Sequence, residues 1–236
     1  MQLRIPDPGY TSSPRAKTSF VLAVKLALGF VALIWLVFGI QTVVGPEMTR
    51  FGLRPRELDG LWGLVTTPLL HGSLSHIMSN TLPLFVGGVA LLFLYPNSSL
   101  RVLPMIYLGS AALAWTFARP SVHIGASGLV YGILTYVFVA GILRRDLRSV
   151  GVSLMIWFFY GSMLWGVFPL MPRMSWELHA SGMILGLLLA WVFRAWDRPP
   201  VKTYDWEFED EDSDRSWAES EPEQAARRDR DWPGLH

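Results

Sequence analysis

With 236 residues, 51% of them hydrophobic and 17% charged, and a mean hydropathy of +0.33, the chain has the composition of a membrane protein. It has no cysteine, which excludes disulfides and thiolate-held metals, and its formal charge of +1 gives nucleic acid no footing.

Residues 1–18 are polar, carry Arg4, Arg15 and Lys17, and read as a short disordered arm. Six apolar segments follow, near 19–44, 74–95, 101–118, 124–143, 149–170 and 177–195. Each is close to the ~20 residues needed to cross a bilayer. Helix is expected for all six, because a chain in lipid must satisfy its own backbone hydrogen bonds. The first is too long for a signal-peptide core and no small-residue cleavage pattern follows it. Lys25, near its basic end, has a stem long enough to snorkel.

The connection over 45–73 is amphipathic, with Phe51, Leu53, Leu58, Leu61 and Trp62 among Arg54, Arg56, Glu57 and Asp59. It is expected to rest in the membrane interface. Beyond the sixth segment, 196–236 carries an acidic run (Asp205, Glu207, Glu209 to Asp212, Asp214) and a later basic one (Arg227, Arg228, Arg230). It reads as a disordered, solvated cytoplasmic tail. The expected organisation is therefore an arm (1–18), a six-helix unit (19–195) and a tail (196–236).

Basic residues orient the chain. Arg4, Arg15, Lys17, Arg101, Arg144, Arg145, Arg148, Arg194, Arg198 and Lys202 fall on the amino-terminal side. Arg50, Arg54, Arg56, Arg119 and Arg173, half as many, fall on the other. The bias puts both termini in the cytoplasm. Segments two, four and six then all start at the outer surface, and those starts hold the polar residues that are nearly absent from the rest of the spans.

Ser127 lies among Gly125, Ala126 and Gly128 at the head of the fourth helix. Unpartnered N–H groups and the positive end of the dipole there can stabilise an oxyanion formed when Ser127 Oγ attacks a carbonyl. The flanking glycines let a substrate backbone come close; equally, small residues are common where membrane helices touch. His179 opens the sixth helix and shares a face with Gly182 and Gly186, at i, i+3 and i+7. An ionisable group inside a span is a functional candidate, and His179 is the one placed to act as general base.

His76 and Asn80 share a face of the second helix, at i and i+4, and His71 precedes them. They are either donors completing an oxyanion hole or, with His179, part of a three-histidine zinc site. The donor reading is preferred, because no glutamate accompanies them in an H-E-x-x-H arrangement. Glu177, two residues before His179, points to a different helix face, so no acid completes a triad. Tyr131, one turn below Ser127, can pack on the imidazole, and a serine–histidine dyad is the economical reading.

At these residues the chain resembles the rhomboid family of intramembrane serine proteases. The family pattern is H-x-x-x-x-H-x-x-x-N in the second helix, G-x-S-G with a tyrosine four after the serine in the fourth, and H-x-x-G-x-x-x-G in the sixth. Here these are His71, His76 and Asn80; Gly125, Ser127 and Gly128 with Tyr131; and His179, Gly182 and Gly186. The match covers about residues 19–195. It implies an all-α, six-helix rhomboid-like bundle with a long interfacial first loop. Ser127 would be the nucleophile, His179 the base, and His76, Asn80 and the Ser127 N–H the oxyanion hole, with His71 supporting the first loop. It further implies a multi-pass protein of the bacterial plasma membrane that cleaves single-span membrane proteins near the outer surface, without metal or cofactor. Entry is expected beside the fifth span, at Trp157, Phe158, Phe159, Tyr160 and Trp165. The Trp-Arg pair in the first loop of some bacterial members has no counterpart; Arg54-Pro55-Arg56 and Trp62 stand there. The alternative in another functional class is a non-catalytic rhomboid-like protein that binds membrane clients, against which the intact dyad argues.

Overall fold

The computed structural model describes residues 13–170 and 174–198. The expectations for the first twelve residues, for Arg173 and for the tail past Arg198 lie outside the described residues. Six main helices are present among the described residues: α1 (Pro14–Val44), α2 (Leu74–Leu94), α3 (Pro96–Phe117), α4 (Ser127–Arg144), α5 (Leu147–Tyr160) and α6 (Trp176–Val192). Among the described residues there is no strand, only an isolated antiparallel bridge between Leu53 and His123. Five segments, with α5 extended to Val167, are long and apolar enough to cross a membrane, and α6 is shorter at 17 residues. The chain is an all-α, multi-pass integral membrane protein.

Helix boundaries depart from hydropathy where a cap decides them. α1 starts at Pro14 rather than near 19, because the Ser13 hydroxyl accepts from Ala16 N–H at 3.1 Å and proline suits the first helical position. α3 starts at Pro96 rather than near 101. Its cap comes from far along the chain: the Asp197 carboxylate accepts from Asn97 N–H at 2.8 Å and Ser98 N–H at 2.9 Å. α4 starts at Ser127 rather than 124, after Gly125 at φ +118°. α5 is capped by Asp146, which accepts from Ser149 N–H at 3.0 Å. It stops at Tyr160, and the chain continues as a 3-10 helix over Gly161–Val167, where an unbroken helix to 170 is expected from composition.

The connection over 45–73 is a chain of short turns, with 3-10 helices at Pro46–Phe51, Asp59–Trp62 and Thr67–Leu69 and one α-turn at Gly63–Thr66. Leu53 is buried, whereas Leu58 and Trp62 are exposed. The core lies around α4, whose buried residues include Leu129, Val130, Ile133, Tyr136 and Val137, packed on Ile77, Leu84 and Leu91 of α2, Val102 and Ile106 of α3, and Leu189 of α6.

Candidate active site

Glycine lets α4 and α6 meet backbone to backbone. A Cβ built on Gly182 would overlap the Gly128 carbonyl oxygen, and one on Gly186 would lie 2.9 Å from Thr135 Cβ and 3.1 Å from Tyr136 N. In the other direction, a Cβ on Gly128 would lie 3.2 Å from the Leu178 carbonyl oxygen, and one on Gly132 would be 3.2 Å from that of Gly182. In lipid, where burial of apolar surface gives helices little reason to associate, such close van der Waals contact is a main source of attraction. The contacts pair 128 with 182 and 132 with 186, so the two helices run parallel and start together. Gly128 follows Ser127 and Leu178 precedes His179, so these contacts bring the two starts side by side.

Ser127 is the first residue of α4 and is buried, as is His179 in the first turn of α6. The His179 ring stacks on Tyr131 with centroids 4.2 Å apart and planes 8° from parallel. Its Nδ1 lies 2.8 Å from the Gly166 carbonyl oxygen. A carbonyl only accepts, so Nδ1 carries the proton and Nε2 is left with a free lone pair. Tyr131 is itself held, its hydroxyl donating to the Met163 carbonyl at 2.7 Å. Both carbonyls come from the 3-10 helix after α5, where the tighter winding leaves them off an α-helical ladder. A Cβ at Gly166 would collide with the Tyr131 hydroxyl and lie 3.2 Å from His179 Nδ1, so only glycine fits. Sequence reasoning missed Gly166, because a main-chain acceptor has no side-chain signature.

The start of α2 closes the site from the other side. A Cβ at Gly125 would lie 2.6 Å from His76 Nε2, and φ there is +118°, so space and backbone both require glycine. His71 stands edge-on to His76, with ring centroids 5.1 Å apart. Its Nε2 accepts from Ala126 N–H at 3.4 Å and its Nδ1 faces the Leu69 carbonyl at 3.4 Å. The His71 backbone is tied to α1 by the Gln41 amide, which accepts from His71 N–H at 3.0 Å and donates to its carbonyl at 3.4 Å. Burial, then the neighbouring His76, hold the His71 imidazole down at about 4, against the opposing pull of the Leu69 carbonyl. His71 thus supports the turn that delivers Ser127 as well as the end of the first loop. Asn80 is buried one turn below His76, and its Nδ2 donates to the His76 carbonyl at 3.0 Å, leaving a second N–H.

The Glu177 carboxylate is engaged by Arg119. One carboxylate oxygen lies 3.3 Å from Arg119 N–H and 3.4 Å from the Arg119 guanidinium. Among the described residues no group of three His, Cys, Asp or Glu is placed to hold a metal ion.

Residues 58–196 match the model of the rhomboid domain. An uncharacterized protein of Mycobacterium tuberculosis is 32% identical over 204 residues, 83% of this chain and 83% of that one. One of Mycobacterium leprae is 29% identical over 210 residues, again 83% of each. The rhomboid protease GlpG of Haemophilus influenzae is 25% identical over 133 residues, 56% of this chain and 69% of its own. A domain match over more than half the chain, extending through the starts of α2, α4 and α6, places this protein in the rhomboid family of intramembrane proteases.

Proposed function

We propose that this protein is an intramembrane serine endopeptidase working through a Ser127–His179 dyad. The observation that carries the reading is the Gly166 carbonyl on His179 Nδ1, which fixes the neutral tautomer whose Nε2 can take a proton. Ser127 Oγ attacks the scissile carbonyl as His179 Nε2 accepts its proton. His76, Asn80 and the Ser127 N–H, at the positive end of α4, donate to the oxyanion. His179 then protonates the leaving amine, and water admitted to the site hydrolyses the acyl-enzyme by the same steps in reverse. The carbonyl of Gly166 and the stack on Tyr131 do the orienting that a carboxylate does in a triad.

The substrates are single-span membrane proteins, cleaved where their helices weaken near the outer surface. The chain sits in the bacterial plasma membrane with both termini cytoplasmic, the orientation its basic residues favour. The six-helix unit of about 19–195 carries the activity. A fluorophosphonate probe, which reacts with activated serines, tests the reading against client binding without catalysis. Adduct at Ser127 by peptide mass spectrometry, absent in His179→Ala, is the expected result. Folded protein that takes up no probe at any concentration overturns it.

A further inference from the structure

A second polar cluster lies just upstream of both proposed catalytic residues. His123, four residues before Ser127, is fully buried. Its Nε2 lies 3.1 Å from the Arg119 carbonyl and 3.2 Å from Ser121 Oγ, and its Nδ1 lies 3.0 Å from the hydroxyl of Ser175, four residues before His179. Since the carbonyl can only accept, Nε2 carries the proton and Nδ1 accepts from Ser175. Burial, the largest influence, pushes this imidazole below its ordinary value, which favours the neutral form this arrangement uses.

The use made of Ser175 is informative. It stands at the N-cap of α6, where a serine hydroxyl normally accepts from its own helix, yet it makes no such bond. Its hydroxyl goes to His123 instead. Glu177, in the first turn of the same helix and buried, likewise goes to Arg119, whose guanidinium also donates to the Met174 carbonyl. Side chains that would have capped α6 are thus committed to the segment leading into α4. That segment is held on its other flank by backbone bonds: Leu53 N–H to the His123 carbonyl at 2.9 Å, His123 N–H to the Leu53 carbonyl at 2.8 Å, and Gly125 N–H to the Thr67 carbonyl at 2.9 Å.

We infer that His123 and Ser175, backed by Arg119 and Glu177, are positioning residues that set the distance between Ser127 and His179 from above, as the Gly128–Gly182 contact sets it from below. The inference rests on the dyad reading. With one tie four residues upstream of each reactive group and the other within three downstream, neither helix start can pivot independently. Removal of the upper tie leaves the fold and the substrate surface in place and loosens the reacting pair.

The test compares His123→Leu, His123→Asn and Ser175→Ala with the wild type in detergent, each with its helicity and melting temperature recorded. His123→Leu should lower kcat and the rate of fluorophosphonate labelling by about 100-fold, the cost of roughly 1 Å of misplacement, with KM within about twofold. His123→Asn, which can still accept from Ser175, should recover much of that loss. Ser175→Ala, a smaller change, should cost about tenfold, and the double variant His123→Leu/Ser175→Ala should be no worse than His123→Leu. In hydrogen exchange, the amides of Glu177 to His179 should exchange faster in both single variants. Folded His123→Leu with wild-type kcat and unchanged exchange overturns the tie, as do strictly additive losses. A wild type that neither cleaves nor labels overturns the dyad reading instead, and the exchange measurement then still decides whether the tie exists.

Discussion

α4 and the segment from α5 through its 3-10 extension are neighbours in sequence with nearly equal hydropathy, yet they sit in the protein in opposite ways. In their most apolar stretches, 72% of the first is buried and 11% of the second. The difference lies in side-chain size. α4 carries Gly128 and Gly132 toward α6, and its neighbours come to backbone contact. α5 carries Phe158 and Phe159, which are exposed, and meets α4 through Ser153, which donates to the Phe138 carbonyl at 2.9 Å beside Gly141, and through Trp157, which stacks on the Phe138 ring. Between α5 and the α4–α6 pair lies an apolar cavity of about 350 Å³ lined by residues including Leu134, Phe138, Ile156 and Met183. Hydropathy thus marks a helix as compatible with lipid, and small residues decide which of them is held rigidly. The proposed chemistry stands on the rigid pair, while the looser segment contributes two carbonyls at its far end.

Breaking the rigid half should have the largest effect. Gly182→Val places methyls into the Gly128 carbonyl, so it should cost ~1–3 kcal/mol of stability and about 100-fold in turnover. Leu188→Val, at a position 52% exposed, is the matched control and should be close to silent in cleavage and melting assays.

The junction of the two regions comes next. Gly166→Ala sets a methyl against the Tyr131 hydroxyl, and should lower turnover on the order of 10- to 100-fold by tilting the His179 stack. Adding Tyr131→Phe, which removes the atom that the methyl meets, should restore part of the rate. Failure of the second change to rescue would place the defect elsewhere than in this contact.

His71 supplies a smaller effect with a defined pH window. Its folded value is about 4 against 6.5 for the free side chain. Between those values the unfolded chain holds a proton that the folded chain does not, so stability falls as pH falls from 6.5 towards 4. This one group should lower the unfolding free energy by ~2 kcal/mol between pH 7 and pH 5, and His71→Gln should reduce the slope by that amount. The smallest effect belongs to the loose region: Phe158→Ala, at a position 80% exposed, should change stability by no more than about 0.5 kcal/mol.

The proposed reactive groups are readable in the sequence because they are polar side chains at set spacings in an apolar background. Ser127, His179 and His76 stand out there, and Gly182 and Gly186 are legible from the face they share with His179. What was not readable depends on tertiary partners. The early start of α3 needs Asp197, a hundred residues on. The 3-10 winding of Gly161–Val167 leaves no trace in a composition as apolar as the helix before it, and with it goes the acceptor at Gly166. His123 and Glu177 look like ordinary loop and helix-start residues until their burial and their partners across the gap are known.

The assignment of Ser127 and His179 is tested most directly by cleavage of a single-span substrate in reconstituted membranes. Wild type, Ser127→Ala, His179→Ala and the double variant are compared at equal amounts of folded protein. The expected result is cleavage by the wild type, background for each single variant, and a double variant no lower than either, because the pair acts as one unit. Cleavage by Ser127→Ala at the wild-type rate would contradict it.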